Sequence, residues 1–236
     1  SNQENRLSPT IEELTHEYLE KWAKPRKRSW KKDESMLTRD VVPFLGKQKA
    51  NQITRRDIVI LLDKILERGS PIAANRTLAV IRRMFNFAVE RDIMPSSPCH
   101  GFKSPAKENK RDRLLTTNEI CSFWESLNNA NMSELSKLAL KLQLATAQRK
   151  GEVISAEWEE FDLTGDWWTI PAAKSKNGNL HQVPLSKLAI ELLQEIKSHS
   201  TESKWLFPSA NNSGHFIPEA INKAVSRNKE KFKDIK

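Results

Sequence analysis

The sequence predicts two joined parts: an all-α helical bundle followed by a mixed α/β (α+β) domain. Three observations predict it. Apolar residues recur at helical spacing up to about residue 91. Prolines and glycines then break the pattern at Pro95, Pro98, Gly101 and Pro105. Beyond about residue 157 the period changes from helical spacing to alternation, which is the mark of strands.

The bundle reads as four helices. Thr10 with Glu13 forms a capping box, and Ile11, Leu14, Tyr18, Leu19 and Trp22 follow as an apolar stripe that Pro25 should stop. A second helix is expected from Ser29 to Phe44, with Trp30, Met36, Leu37 and Val41 inward and Gly46 just past its end. Thr54 caps a third, carrying Ile58, Leu61, Leu62 and Ile65 before Gly69. The fourth should start near Ala73 and run to about Arg91 through Leu78, Ile81, Met84, Phe85 and Ala88.

The second part opens on another capping box, Thr116 to Glu119, heading a helix to about Leu127, and a further helix covers residues 133–146. Trp158, Phe161 and Leu163 read as a strand turning at Gly165-Asp166, Trp167 to Pro171 as a second, and His181 to Leu185 as a third. Asn177-Gly178 marks the hairpin between the last two. Ser186 caps an amphipathic helix with Leu188, Ile190, Leu192, Leu193 and Ile196 inside. A short strand at 205–208 and a helix from about Pro218 end the pattern. The expected boundaries are therefore a helical domain at 1–100, a basic linker at 101–114 and a second domain at 115–236.

Charge separates the halves. Residues 1–114 hold 24 Lys and Arg against 15 Asp and Glu, and residues 115–236 hold 15 against 15, so the whole formal charge of +9 sits in the first half. A one-sided basic domain suits a polyanion partner, because cations that neutralise phosphates release condensed counterions. Candidate phosphate contacts are Lys27, Arg28, Lys31 and Lys32 on the second helix, Arg76, Arg82 and Arg83 on the fourth, and Lys103, Arg111 and Arg113 in the linker. No run of 18 apolar residues exists, so no membrane partner is expected, and the first residues lack the apolar core of a secretion signal. Cys99 and Cys121 lack zinc-type spacing and read as two reduced cytosolic thiols; neither a metal nor any other cofactor is implied. The absence of an initial Met suggests a cleaved tag or a piece of a longer chain.

Two stretches carry chemistry. One is Ala145-Thr146-Ala147-Gln148-Arg149-Lys150-Gly151-Glu152-Val153, with Arg149 where a helix gives way to a turn. The other runs from Lys174 through Lys176 to His181-Gln182-Val183-Pro184-Leu185-Ser186, with lysines at a hairpin tip. Together, and in this order behind the helical domain, they resemble the active-site boxes of tyrosine recombinases of the phage-integrase type. The runs Ala73 to Leu78 and Phe85 to Val89 resemble integrases of prophages and genomic islands. The resemblance spans nearly all of residues 10–236, and it implies a helical core-binding domain ahead of an incomplete catalytic domain.

That resemblance implies DNA cleavage by a tyrosine hydroxyl through a 3′-phosphotyrosyl link. Arg149 would stabilise charge on the non-bridging oxygens and Lys176 would protonate the leaving 5′-oxygen. Glu152 would orient its neighbours. Lys174 competes with Lys176 for the lysine role, and His181 is expected to pack or to meet phosphate. The family's His-x-x-Arg box and nucleophilic tyrosine are absent from these 236 residues, whose single tyrosine, Tyr18, lies on an apolar stripe. The resemblance thus implies a cytoplasmic recombinase whose partners are double-stranded DNA at attachment-type sites and other protomers, with this chain binding DNA and not cutting it. A non-catalytic DNA-binding regulator on the same scaffold is the alternative, with an RNA-binding adaptor behind it.

Overall fold

A computed structural model describes residues 8–109, 112–175, 177–199, 202–211 and 213–233. The chain divides into two compact units, residues 1–111 and 112–236. It is mostly helical, with one small three-stranded sheet.

In the first unit, helix α1 combines Ile11–Tyr18, a wide π-turn at Leu19–Ala23 and a last turn at Lys24–Arg26. Helix α2 repeats the device: Trp30–Met36, a π-turn at Leu37–Val41, then Val42–Leu45. Pro25 and Pro43 each sit two residues past a π-turn. A proline lacks the N–H that a helix needs and its ring collides with the carbonyl four residues back. The wide turn gives that ring room, so Pro25 does not stop α1 as the sequence suggested. The Lys21 carbonyl, which would have received the missing N–H, accepts instead from Arg26 Nη1 at 3.3 Å.

Helix α3 spans Arg55–Glu67 and α4 spans Pro71–Glu90. The latter begins two residues earlier than expected because proline, with its fixed φ, suits the first helical position. Gly69 takes φ +75 after α3, whereas Gly46 stays right-handed at φ −51. Ile11, Leu14, Leu37, Ile58, Ile81 and Phe85 are fully buried and form the bundle core.

Tyr18 is sealed in that core, stacked on Trp22 at 5.5 Å. Its hydroxyl donates to Asp33 Oδ2 at 2.8 Å, and Lys27 Nζ holds the same carboxylate at 2.6 Å. Burial first, then the bond to Asp33, pushes the Tyr18 hydroxyl well above its ordinary pKa. Asp40 is equally buried; desolvation opposes its charge, but Arg39 and Arg68 more than offset that and hold its carboxyl below the usual range.

Residues 94–108 lie back on the helical unit and are not a free tether. Met94 and Cys99 are buried, and Phe102 packs against the core. Arg55 donates to the His100 carbonyl at 2.6 Å and Arg82 to the Phe102 carbonyl at 2.9 Å. Asn75 clasps Ala106 from both sides, donating to its carbonyl and accepting from its N–H. Prolines left few local backbone bonds in this stretch, and side chains of α3 and α4 supply partners for the carbonyls.

In the second unit, α5 is Thr117–Asn128, α6 is Glu134–Thr146 and α7 is the short Lys150–Ile154. Strands β1 (Phe161–Asp162), β2 (Trp167–Ile170) and β3 (His181–Pro184) pair antiparallel in that order, with Trp168 opposite both Phe161 and Val183. The expected hairpin joins β2 to β3 through ten residues, 171–180, with Asn177-Gly178 inside the connection. Trp158 belongs to a 3₁₀ turn, and residues 205–208 make isolated bridges through Trp205 and Pro208 in place of a strand. Helices α8 (Lys187–His199) and α9 (Pro218–Arg227) follow. The core joins α6, α7 and α8 to the sheet around the fully buried Trp168; Leu188, expected inside, is 44% exposed. Among the described residues, no helix is long and apolar enough to cross a membrane.

Candidate functional site

Helix α6 ends at Thr146, whose hydroxyl turns back to the Leu142 carbonyl at 2.7 Å. Ala147 then adopts the left-handed conformation at φ 54, ψ 23, reversing the chain so that Arg149 becomes the cap of α7. Left-handed backbone costs a residue with a Cβ roughly 1–2 kcal/mol, and a β-branched side chain suffers more. Ala147→Val is therefore expected to lower the stability of the second unit by about 1–3 kcal/mol, read as a lower urea midpoint. An unchanged midpoint would refute the strained turn.

The turn sets Arg149 and Glu152 against each other. Glu152 is 5% exposed and accepts from Arg149 N at 3.1 Å and from Arg149 Nη1 at 2.8 Å. Fixed at one edge by a buried carboxylate, the Arg149 side chain is still 56% exposed, leaving donors for a ligand. It lines a cavity of about 520 Å³ with Ala147 and Gln148 on one wall and Ser175, Asn177, Asn179, Leu180 and His181 on the other. The second wall is the β2–β3 loop. The site is a fixed cation facing a polar loop, which suits an anion. Among the described residues, no cluster of three or more His, Cys, Asp or Glu could hold a metal.

Of the two competing lysines, Lys174 is among the described residues. Lys174 Nζ bonds the Ser155 carbonyl at 2.8 Å, Glu157 at 2.9 Å and Glu160, and lies 4.9 Å from the Trp205 ring centre. The Lys174 hydrogen bond, with one from Lys204, holds the Glu157 carboxyl below the usual range. Lys174 is thus saturated by partners. Lys176 lies outside the described residues, as does Arg111. His181, expected to pack or to meet phosphate, is exposed on the cavity wall. His215 caps nothing catalytic: its Nδ1 meets the Phe216 carbonyl at 2.6 Å and its ring stands edge-on to Trp205.

The basic residues proposed as phosphate contacts also divide. Lys27 is tied to Asp33, Arg82 to the Phe102 carbonyl, and Arg83 to Glu90 at 2.5 Å while covering Trp22 at 4.6 Å. These three serve the fold because each satisfies a carboxylate, a carbonyl or a ring of its own unit. Arg113 bonds Glu119 of α5. Arg28, Lys31, Lys32, Arg76 and Lys103 are exposed, with Arg76 in a loose 3.4 Å pair with Glu108. Sequence reasoning missed Gln148, Asn177 and Asn179; the one available signal was their position beside Arg149 and inside the loop.

Residues 113–235 match the family model described as phage integrase family, and residues 11–104 match the one described as phage integrase central domain. The prophage integrase IntZ of Escherichia coli (strain K12) is 32% identical over 215 residues, which cover 88% of this chain and 53% of that protein. The integrase of Enterobacteria phage P4 is 25% identical over 242 residues, covering 94% of this chain and 54% of its own length. The chain spans about half the length of the curated relatives it matches. In fold it is similar to a lambda integrase tetramer bound to a Holliday junction, with a TM-score of 0.79 at 17% identity, covering 98% of this chain and 68% of that one. A Tn1549 transposon integrase in complex with circular intermediate DNA superposes with a TM-score of 0.77 at 15% identity, covering 96% and 80%.

Proposed function

Because the chain belongs to the phage integrase family, we propose that the protein carries out site-specific DNA recombination and that these residues supply its DNA grip and half of its active site. The observation that supports this most is the Arg149–Glu152 pair on one wall of a polar cavity with the β2–β3 loop on the other. In this reading the scissile phosphate enters the cavity. Arg149 stabilises negative charge on its non-bridging oxygens, and Glu152 keeps the guanidinium in plane. As a tyrosine oxygen bonds to phosphorus, the bond to the 5′-oxygen breaks, and Lys176 gives that oxygen its proton. Residues 1–111 serve as a core-binding domain on double-stranded DNA, and further protomers complete the recombining complex.

Tyr18, the sole tyrosine of the sequence, cannot be the nucleophile, since it is fully buried in the core of the first unit with its hydroxyl committed to Asp33 of that unit. A nucleophile must reach the phosphorus in line. Residues 1–236 alone are therefore expected to bind an end-labelled suicide duplex without forming a covalent adduct on a denaturing gel. The full-length protein should form one, and Arg149→Ala should abolish it. A protease-sensitive retarded band from residues 1–236 alone would overturn this assignment. The burial of Tyr18 also favours a second reading, a DNA-binding regulator on a recombinase scaffold. A full-length protein that binds its site yet never forms the adduct would establish that instead.

A further inference from the structure

We propose that Lys174 is a positioning residue: its ammonium ties the β2–β3 loop to the end of α7 and so sets the spacing between that loop and Arg149. The inference rests on the reading of the cavity as the phosphate site. Helix α7 has only five residues, with Arg149 at its first end and Ser155 at its last. The Lys174 ammonium donates to the Ser155 carbonyl, so the loop is fastened to the same short helix that carries Arg149. Its other partners come from the next turn. Glu157 and Glu160 accept from Lys174, and Glu160 also accepts from the buried Trp168 Nε1 at 3.0 Å, which fixes the carboxylate to β2. The Trp205 ring closes the fourth side.

The next residue, Ser175, is buried, and with Asn177, Asn179 and Leu180 it lines the second cavity wall. One ammonium thus joins α7, the 3₁₀ turn and the base of the loop. The two glutamates are nearly covered, at 12% and 4% side-chain exposure, and besides Lys174 they meet Lys204 and Trp168 Nε1 respectively, which holds both carboxylates in place for the Lys174 ammonium. Among the described residues of this loop the backbone bonds are local turns, Lys174 N and Ser175 N to the Pro171 carbonyl and Gly178 N to the Ser175 carbonyl, and the Lys174 ammonium adds the tie to α7. Lys174 touches no phosphate in this arrangement; it acts through the loop.

Two measurements on the 236-residue chain test this. The first is amide hydrogen exchange across residues 171–181. Lys174→Gln should raise it about tenfold while α8 exchange stays unchanged, and Lys174→Arg, which keeps the charge and several donors, should restore protection. The second is the slope of log affinity for duplex DNA against log salt. Lys176→Gln should reduce that slope by about 0.9, the value for one phosphate. Lys174→Gln should reduce it equally, and the double variant should reduce it no further, because both changes remove one contact. Unchanged loop exchange in Lys174→Gln overturns the proposal. So does a slope that moves with Lys176→Gln but not with Lys174→Gln, or losses that add. If Lys176→Gln itself leaves the slope unchanged while loop exchange still rises in Lys174→Gln, the phosphate reading of Lys176 fails and the positioning role stands. Should Lys174→Gln not fold, Glu157→Gln removes one partner only, and the same loop-specific rise is required of it.

Discussion

Raising the salt from 50 to 200 mM is expected to weaken duplex binding by this chain about 10³-fold. If Lys31, Lys32, Arg76, Lys103, Arg149 and Lys176 each meet one phosphate, about six counterions are released and the logarithmic slope is near −5. The residue-level prediction is sharper than the slope. Neutralising Lys31 and Lys32 together should reduce the slope by about 1.8 at a stability cost below about 1 kcal/mol, since both are exposed on α2 and only the Lys31 ammonium over the Trp30 ring is lost. Neutralising Lys27 and Arg82 should leave it unchanged and destabilise the fold, because their charges serve Asp33 and the Phe102 carbonyl. Filter-binding titrations at several salt concentrations decide the matter. A slope that falls as much for the second pair as for the first would show that the internal ties do not persist on DNA.

The second large effect lies in the helical core. Asp33→Ala is expected to cost about 3 kcal/mol, because it strands a buried tyrosine hydroxyl and removes the partner of Lys27. Tyr18→Phe leaves the Asp33–Lys27 pair intact and should cost only about 1 kcal/mol. Chemical denaturation followed through the first unit gives both numbers. Equal losses from the two variants would mean that the hydroxyl contributes as much as the carboxylate, contrary to this account.

The contrast between Lys31 and Lys27 shows what residue types reveal and what they do not. The capping boxes at Thr10 and Thr116 were legible because two residues three positions apart determine each of them. The stripes of α3 and α4 were legible because helical period and burial coincide. Arg149 with Glu152 was legible as a spacing, and the structure adds that the carboxylate is buried and the guanidinium half open. Other features depend on partners far along the chain. Nothing in Asn75 announces that it clasps Ala106, 31 residues on, and prolines at 95–105 look the same in a free tether as in a docked one. Nothing in Lys174 as a residue type announces its partners, the carboxylates of Glu157 and Glu160, which belong to another turn. The expected hairpin between β2 and β3 forms; what residue types did not reveal is how the connection around Asn177-Gly178 is held. Gly178 does take positive φ, but inside a ten-residue loop whose ends are set by β2 and β3.

The π-turns ahead of Pro25 and Pro43 bear on how homologous chains should align. An added residue in a plain α-helix turns everything beyond it by about 100° and would carry an apolar stripe off the core. A wide turn absorbs one residue and lets the face continue, as Tyr18 before the turn and Ala23 at its end both remain buried. Homologues whose first or second helix is one residue shorter should therefore show the gap at 19–23 or 37–41 and nowhere else in those helices. The gap and the proline should also be inherited together. A helix that closed its wide turn but kept the proline would force the ring against a carbonyl, at a cost of about 3 kcal/mol.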